Sequence, residues 1–261
     1  MSTSAASLIH VVADGHVVEI GLRNGALNLV TRELLRALDR ALGEVAAAAG
    51  VRCVIVHGGE ARAFCAGSDM NEFAQLRDNA SEHKILFEDK VLRGLARLPM
   101  PTIAAIDGHA LGGGLELAMA CDLRVCARGV QLGLTEARIG GLSGHGSVRL
   151  ARLIGPARAK RLLFTGDVIA PEQALAWGIV DELATSGTAL AAARALATTI
   201  CRRGPVSNRL AKQLVDASLD SPLDAALLQA TVAQQRIFET DDLHEGAAAF
   251  FEKRTAVFRG H

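Results

Sequence analysis

Two segments of this chain, Arg62-Ala-Phe-Cys-Ala-Gly-Ser-Asp69 and Asp107-Gly-His-Ala-Leu-Gly-Gly-Gly-Leu-Glu-Leu-Ala118, carry glycine at the step into a helical stretch. Glycine there allows a tight turn and close packing that a side chain would block. It also leaves backbone N–H groups bare at a helix start, where positive potential can hold an anion. Taken alone, the glycines could serve only the turn. What turns the reading toward chemistry is Glu116, an acid in the first helical turn after them, set among Leu115, Leu117, Ala118 and Met119. Two sets of bare amides beside an acid in apolar surroundings suit a pocket that stabilises an oxyanion.

Other readings of the chain are narrowed by its composition. Neither GxGxxG nor GxxxxGK(S/T) occurs, so the glycines do not spell a nucleotide loop. Formal net charge is zero and aromatic residues make up 3%, which leaves no electrostatic footprint and few stacking residues for nucleic acid. No apolar run reaches membrane-spanning length, and Met1 to Ser7 lacks the charged and apolar regions of a signal peptide. The expectation is a soluble, cytoplasmic protein with no membrane partner. Cys53, Cys65, Cys121, Cys126 and Cys201 follow no metal-finger or CxxC spacing, so buried thiols and no metal are expected. Cys65 stands in a motif loop, but no histidine is fixed near it by sequence to activate it.

The order of elements points to an α/β fold. Val11 to Ile20 reads as two β-branched strands joined at Asp14-Gly15, a pair that supplies positive φ for a type I′ turn. Thr31 can cap a helix in which Leu34, Leu35, Leu38, Ala41, Leu42 and Val45 repeat at helical spacing. A strand over 51–57, a charged helical stretch over 71–98, a strand over 102–106, a helix from Gly113 and a strand over 123–126 continue the alternation. Beyond Gly144 the pattern is mainly helical, with Trp177 to Asp181 as an extended piece. A boundary falls near residue 200, where Gly204-Pro205 punctuates the chain before a helical tail. Glu136 follows a strand-like stretch that could return to the same mouth as Glu116, although a surface ion pair with Arg138 would also account for it.

The markers Ala26-Leu-Asn28, Ala63 to Asp69, Ile106 to Ala118, Cys121-Asp122, Leu132 to Glu136, Leu163 to Asp167, Ala176 to Val180 and Phe250 to Arg254 stand in this order. With them the chain resembles the crotonase, or enoyl-CoA hydratase/isomerase, superfamily over nearly its whole length. The resemblance implies a crotonase-like ββα spiral core over residues 1–200 and a C-terminal helical module over 201–261 that assembles subunits and covers CoA. It implies an oxyanion hole formed by the N–H groups of Ser68 and Gly113, with Glu116 and Glu136 as the catalytic acids. CoA contacts would fall at Ala26, Arg62, Ala66, Phe250 and Lys253, and the acyl pocket would be lined near Leu142, Ser143 and His145. The implied activity is hydration of a trans-2-enoyl-CoA, with isomerisation, hydrolysis or simple acyl-CoA binding as alternatives. No cofactor is implied beyond the CoA of the substrate, and homo-trimers paired into hexamers are. The chain departs from the family pattern at Gly25 and Asn71, where basic residues are usual, and at Ser143 and Ser147, where proline and glycine are.

Overall fold

The computed structural model describes residues 7–261. Strands β1 (Ile9–Asp14) and β2 (Val17–Leu22) form an antiparallel hairpin in which Asp14 faces Val17, so Gly15 and His16 are the loop. Positive φ falls on Gly15 alone, at 56°. That is the φ pattern of a II′ turn, which suits strand twist as well as the I′ turn expected from Asp14-Gly15. Helix α1 (Arg32–Ala47) is capped by Thr31, whose hydroxyl accepts from the Leu34 amide, and it buries the leucine and valine stripe named above.

The chain then repeats one unit. Strands β3 (Cys53–His57) and β4 (Ala63–Cys65) are followed by α2 (Met70–Leu76) and α3 (Leu86–Ala96). Next come β5 (Thr102–Ile106), β6 (His109–Leu111) and α4 (Gly113–Met119). The third unit is β7 (Leu123–Ala127), β8 (Leu132–Gly133) and the helices α5 (Gly144–Ile154) and α6 (Pro156–Thr165). After these come β9 (Val168–Ile169), α7 (Pro171–Trp177) and β10 (Glu182–Ala184). Each unit lays its first strand in one sheet, ordered β1-β2-β3-β5-β7-β10, and its second in another, ordered β4-β6-β8-β9. The neighbouring strands β3, β5 and β7 pair in parallel, as do β4, β6 and β8. This is a ββα spiral, and its consequence for the site is direct: the turns leaving β4, β6 and β8 lie side by side. Val54, Ile55 and Val56 of β3 and Ile103 to Ile106 of β5 are fully buried, as strands covered on both faces must be.

The charged stretch 71–98 is not one helix. Helix α2 buries no residue and stops at Arg77, which has a φ of 46°. A 3-10 turn (Arg77–Asn79) and a π-turn (Ser81–Ile85) precede α3. Without an apolar stripe at its start the segment has nothing to hold a single helical phase, and the wider turn carries Lys84 inward. Trp177 to Asp181 is likewise not a strand. Trp177 ends α7, Gly178 takes a left-handed φ of 85° as the C-cap, and the strand starts at Glu182.

Helix α8 (Ala189–Cys201) packs across β3, β5 and β7 and so belongs to the core. Helices α9 (Pro205–Ser218), α10 (Leu223–Phe238) and α11 (Asp241–Glu252) follow, α9 on α10 and α10 on α11. Lys212 of α9 ties them to the core through Asp122 at 2.8 Å. Among the described residues, no helix is long and apolar enough to cross a membrane.

Candidate active site

The turn after β4 is pinned by a single parallel bridge between Val30 and Ser68. In it the Val30 amide donates to the Gly67 carbonyl at 2.8 Å, and the Asp69 amide donates to the Val30 carbonyl at 3.2 Å. The bridge uses the residues flanking Ser68, so the N–H of Ser68 itself points away from Val30. One spiral turn later, Gly113 opens α4, where a helix leaves its first amides without partners. The Gly112 amide goes to the Gly133 carbonyl at 2.8 Å, and those of Leu115 and Glu116 go to the Gly112 carbonyl at 2.9 and 3.1 Å. Among the described residues neither Ser68 N–H nor Gly113 N–H has a protein acceptor. The two turns touch backbone to backbone. A methyl group on Gly67 would stand 3.0 Å from the Leu111 carbonyl oxygen and 3.7 Å from the Gly113 nitrogen, and one on Gly114 would strike the Cys65 carbonyl. Since α2 and α4 are only 7 residues each, neither offers a long helix dipole, and the unpaired amides are the stronger candidates for holding negative charge.

Glu116 is 7% exposed. Its Oε1 accepts from the Ser143 hydroxyl at 2.5 Å and from the Gly146 amide at 2.7 Å, both at the start of α5. Those two donors fix the carboxylate and, among the described residues, leave Oε2 without a protein donor. Glu136 arrives by the third spiral turn, immediately beyond β8. Gly112 has a φ of 52°, and a methyl there would come within 2.7 Å of Glu136 Oε1. A side chain at 112 would therefore displace the acid. Burial pushes the Glu136 carboxyl up to about 7, and repulsion from Glu116 adds to the rise. Its Oε2 is buried with no hydrogen-bond partner. No ion pair joins Glu136 to Arg138 among the described residues, which removes the plain alternative.

A third acid, Glu88 on α3, was not anticipated from sequence. It is 6% exposed, and a methyl on Gly113 would lie 3.4 Å from its Oε1 and 3.3 Å from the Ser68 hydroxyl oxygen. Burial, and then repulsion from Glu116, push its carboxyl up to about 7 despite the nearby Lys84. Its Oε2 is buried and unpartnered. A signal existed: Glu88, Val91, Leu92 and Leu95 form an i, i+3, i+4, i+7 stripe, with an acid in the place of an apolar residue. The three carboxylates do not form a metal site, since no such group occurs among the described residues.

The remaining candidates are more dispersed. Ser143 is occupied with Glu116, and the side chain of Leu142 is 82% exposed. His145 reaches α3, with Nε2 2.7 Å from Asp89 Oδ1, and its Nδ1 faces Arg149 Nε at 3.2 Å. It is thus an α5-to-α3 tie. The Arg62 amide donates to the Ala26 carbonyl at 3.0 Å and the Ala66 amide to the Leu27 carbonyl at 2.9 Å, so Ala26 and Ala66 line one edge running to Ser68. Buried Asn28 holds that edge by donating to the carbonyls of Gly58, Ala63 and Phe64. Arg62 is exposed above it. Phe250 and Lys253 lie at the end of α11, which packs chiefly on α10 rather than on the elements of the site. Burial pushes the Cys65 thiol up to about 12, which rules it out as a ready nucleophile.

Comparison with known proteins bears on the same features. Residues 13–261 match the family model described as Enoyl-CoA hydratase/isomerase. The short-chain-enoyl-CoA hydratase of Clostridium acetobutylicum is 34% identical over 233 residues, 89% of each chain. The mitochondrial methylglutaconyl-CoA hydratase of Rattus norvegicus is 34% identical over 250 residues, 94% of this chain and 79% of that protein. Among solved structures, the enoyl-CoA hydratase from Bacillus anthracis superposes with a TM-score of 0.93 at 36% identity, covering 97% of this chain and 100% of that one. Sequence match and shared fold run through all three spiral turns that carry Ser68, Gly113 and Glu136, and on that basis the chain belongs to the enoyl-CoA hydratase/isomerase family.

Proposed function

We propose that this protein is an enoyl-CoA hydratase, adding water reversibly across the 2,3 double bond of a trans-2-enoyl-CoA to give a 3-hydroxyacyl-CoA. The observation that carries the reading is the pairing of unlike acids. Glu116 is held by two donors at one oxygen and bare at the other, while Glu136 holds a proton to about neutral pH. One can take a proton and the other can give one, as such paired environments permit.

In this reading the thioester oxygen sits on the N–H groups of Ser68 and Gly113. Glu116 removes a proton from water as its oxygen bonds to C3, and the π electrons move onto the thioester as an enolate. The enolate collapses as C2 takes the proton of Glu136; Glu116 then gives up the proton it took and Glu136 regains one, so that net one water has been added. Removing one oxyanion donor costs about 3–4 kcal/mol of transition-state stabilisation in enzymes of this kind, so the two amides stabilise the transition state more than any other single feature of the site. Coenzyme A is part of the substrate, and no separate cofactor takes part. Ala26, Ala66 and Arg62 would meet its pantetheine and phosphates along the edge that leads to Ser68. Phe250 and Lys253 would meet it from a second copy of the chain, since α11 lies apart from its own site, and a trimer or a pair of trimers would supply that copy. The protein is read as cytoplasmic.

An isomerase reading keeps some support from Glu136, since one carboxyl that holds a proton to about neutral pH can move a proton between carbons without help. Loss of crotonyl-CoA absorbance, measured with the parent and with Glu116→Gln and Glu136→Gln, tests the roles. Hydration predicts near-complete loss in both variants. Full activity in either would remove the assignment.

A further inference from the structure

We propose that Glu88 is a specificity-determining residue that reads the acyl group, favouring thioesters whose first carbons beyond the carbonyl carry a hydroxyl over plain alkyl chains. This rests on the acyl-CoA reading of the site, but not on which reaction follows.

The hydration steps above use Glu116, Glu136 and two amides, and leave Glu88 without a task. Its position is nevertheless close to the reacting carbonyl, because Glu88 Oε1 and the Ser68 hydroxyl both face the bare side of Gly113, at 3.4 and 3.3 Å from a methyl placed there. No structural partner explains it. Lys84, the nearest cation, spends its ammonium on the Val30 carbonyl at 2.7 Å and on Glu72 at 3.0 Å. Glu88 makes no side-chain hydrogen bond among the described residues, and its Oε2 is fully enclosed. An orphaned buried polar group is expensive, and a leucine would complete the stripe of Val91, Leu92 and Leu95 without that cost. Glu88 Oε1, on the Gly113 side and likewise without a hydrogen bond among the described residues, is the oxygen that a hydroxyl on the bound acyl chain would reach, whereas an alkyl chain would cover it unpartnered. An anionic chain would meet three carboxyl groups, so the pocket disfavours it.

The test is equilibrium binding by titration calorimetry of butyryl-CoA, 2-hydroxybutyryl-CoA and 4-hydroxybutyryl-CoA. It uses the parent protein, Glu88→Gln, which can still accept a hydrogen bond, and Glu88→Leu, which cannot. The parent should bind one hydroxylated thioester at least about tenfold more tightly than butyryl-CoA, in keeping with one buried hydrogen bond gained. Glu88→Gln should keep most of that preference and Glu88→Leu should lose it. If Glu88→Leu does not fold, Glu88→Met takes its place. Equal binding of all three thioesters by the parent, or a preference that survives in Glu88→Leu, overturns the proposal while leaving the acyl-CoA reading intact. No binding of any of them overturns both.

Discussion

The acids Glu116 and Glu88 beside the spiral turns are enclosed, whereas α10 and α11 turn apolar side chains outward. Glu116 is 7% exposed and Glu88 6%, while Phe250 and Phe251 are 78% and 81% exposed. Leu223, Leu227, Leu228 and Val232 of α10 are also open. An exposed apolar face of this kind is the signature of a contact surface, and the proposed assembly would use it as one. On the proposed function the difference separates two tasks: the reacting groups would be positioned within one chain, and the cover over CoA would be left for a neighbour to complete. Chemistry and assembly should therefore fail separately.

The sharpest break on the core side is Glu116→Gln. It should lower kcat for crotonyl-CoA by about 10²–10⁴-fold with the circular dichroism spectrum unchanged. Ser143→Ala should cost far less, since the Gly146 amide still holds Oε1. Next in size is a stability effect at Glu88. Its carboxyl sits at about 7, above the ordinary range, so the folded protein binds more protons than the unfolded chain between about pH 4.5 and 7. Stability is therefore lost as pH rises through that window and stays reduced above it. Urea denaturation should show Glu88→Gln gaining on the parent by on the order of 2–3 kcal/mol more at about pH 8 than at about pH 4.

On the other side of the comparison, Phe250→Asp combined with Phe251→Asp should lower the mass seen by light scattering and raise KM about tenfold, with kcat less affected. A fall in kcat as large as that of Glu116→Gln would erase the separation between core and cover. The smallest effect is a slope. Glu136 must carry a proton for hydration, so the hydration rate should decline as pH rises through about 7. Dehydration of a 3-hydroxyacyl-CoA needs the same group ionised and should show the opposite trend.

Much of the core side was legible in the sequence because its signals are local. The glycines announce their turns, Thr31 its helix, and Glu116 its unusual setting among apolar neighbours. The freedom of the Ser68 amide was not, since it depends on a bridge to Val30 that only the folded chain forms. Glu88 escaped because the stretch 71–98 read as one charged helix. Once Arg77 breaks it and the π-turn resets the phase, the acid falls on the buried stripe with Val91 and Leu95. Trp177 to Asp181 misled for a similar reason: Gly178 is a helix cap, and the β-branched residues after it are buried without pairing in a strand. The outward face of α10 and α11 has no local signature, because an apolar stripe looks the same whether its partner is the same chain or another.

The central claim is that two backbone amides and two unlike acids add water to an activated double bond. Incubating crotonyl-CoA with the protein in oxygen-18 water and weighing the product tests it most directly. The account predicts a thioester heavier by one labelled water, with the label on the C3 hydroxyl and CoA still attached. An unchanged mass with a shifted double bond, or free CoA with a labelled carboxylate, would contradict it.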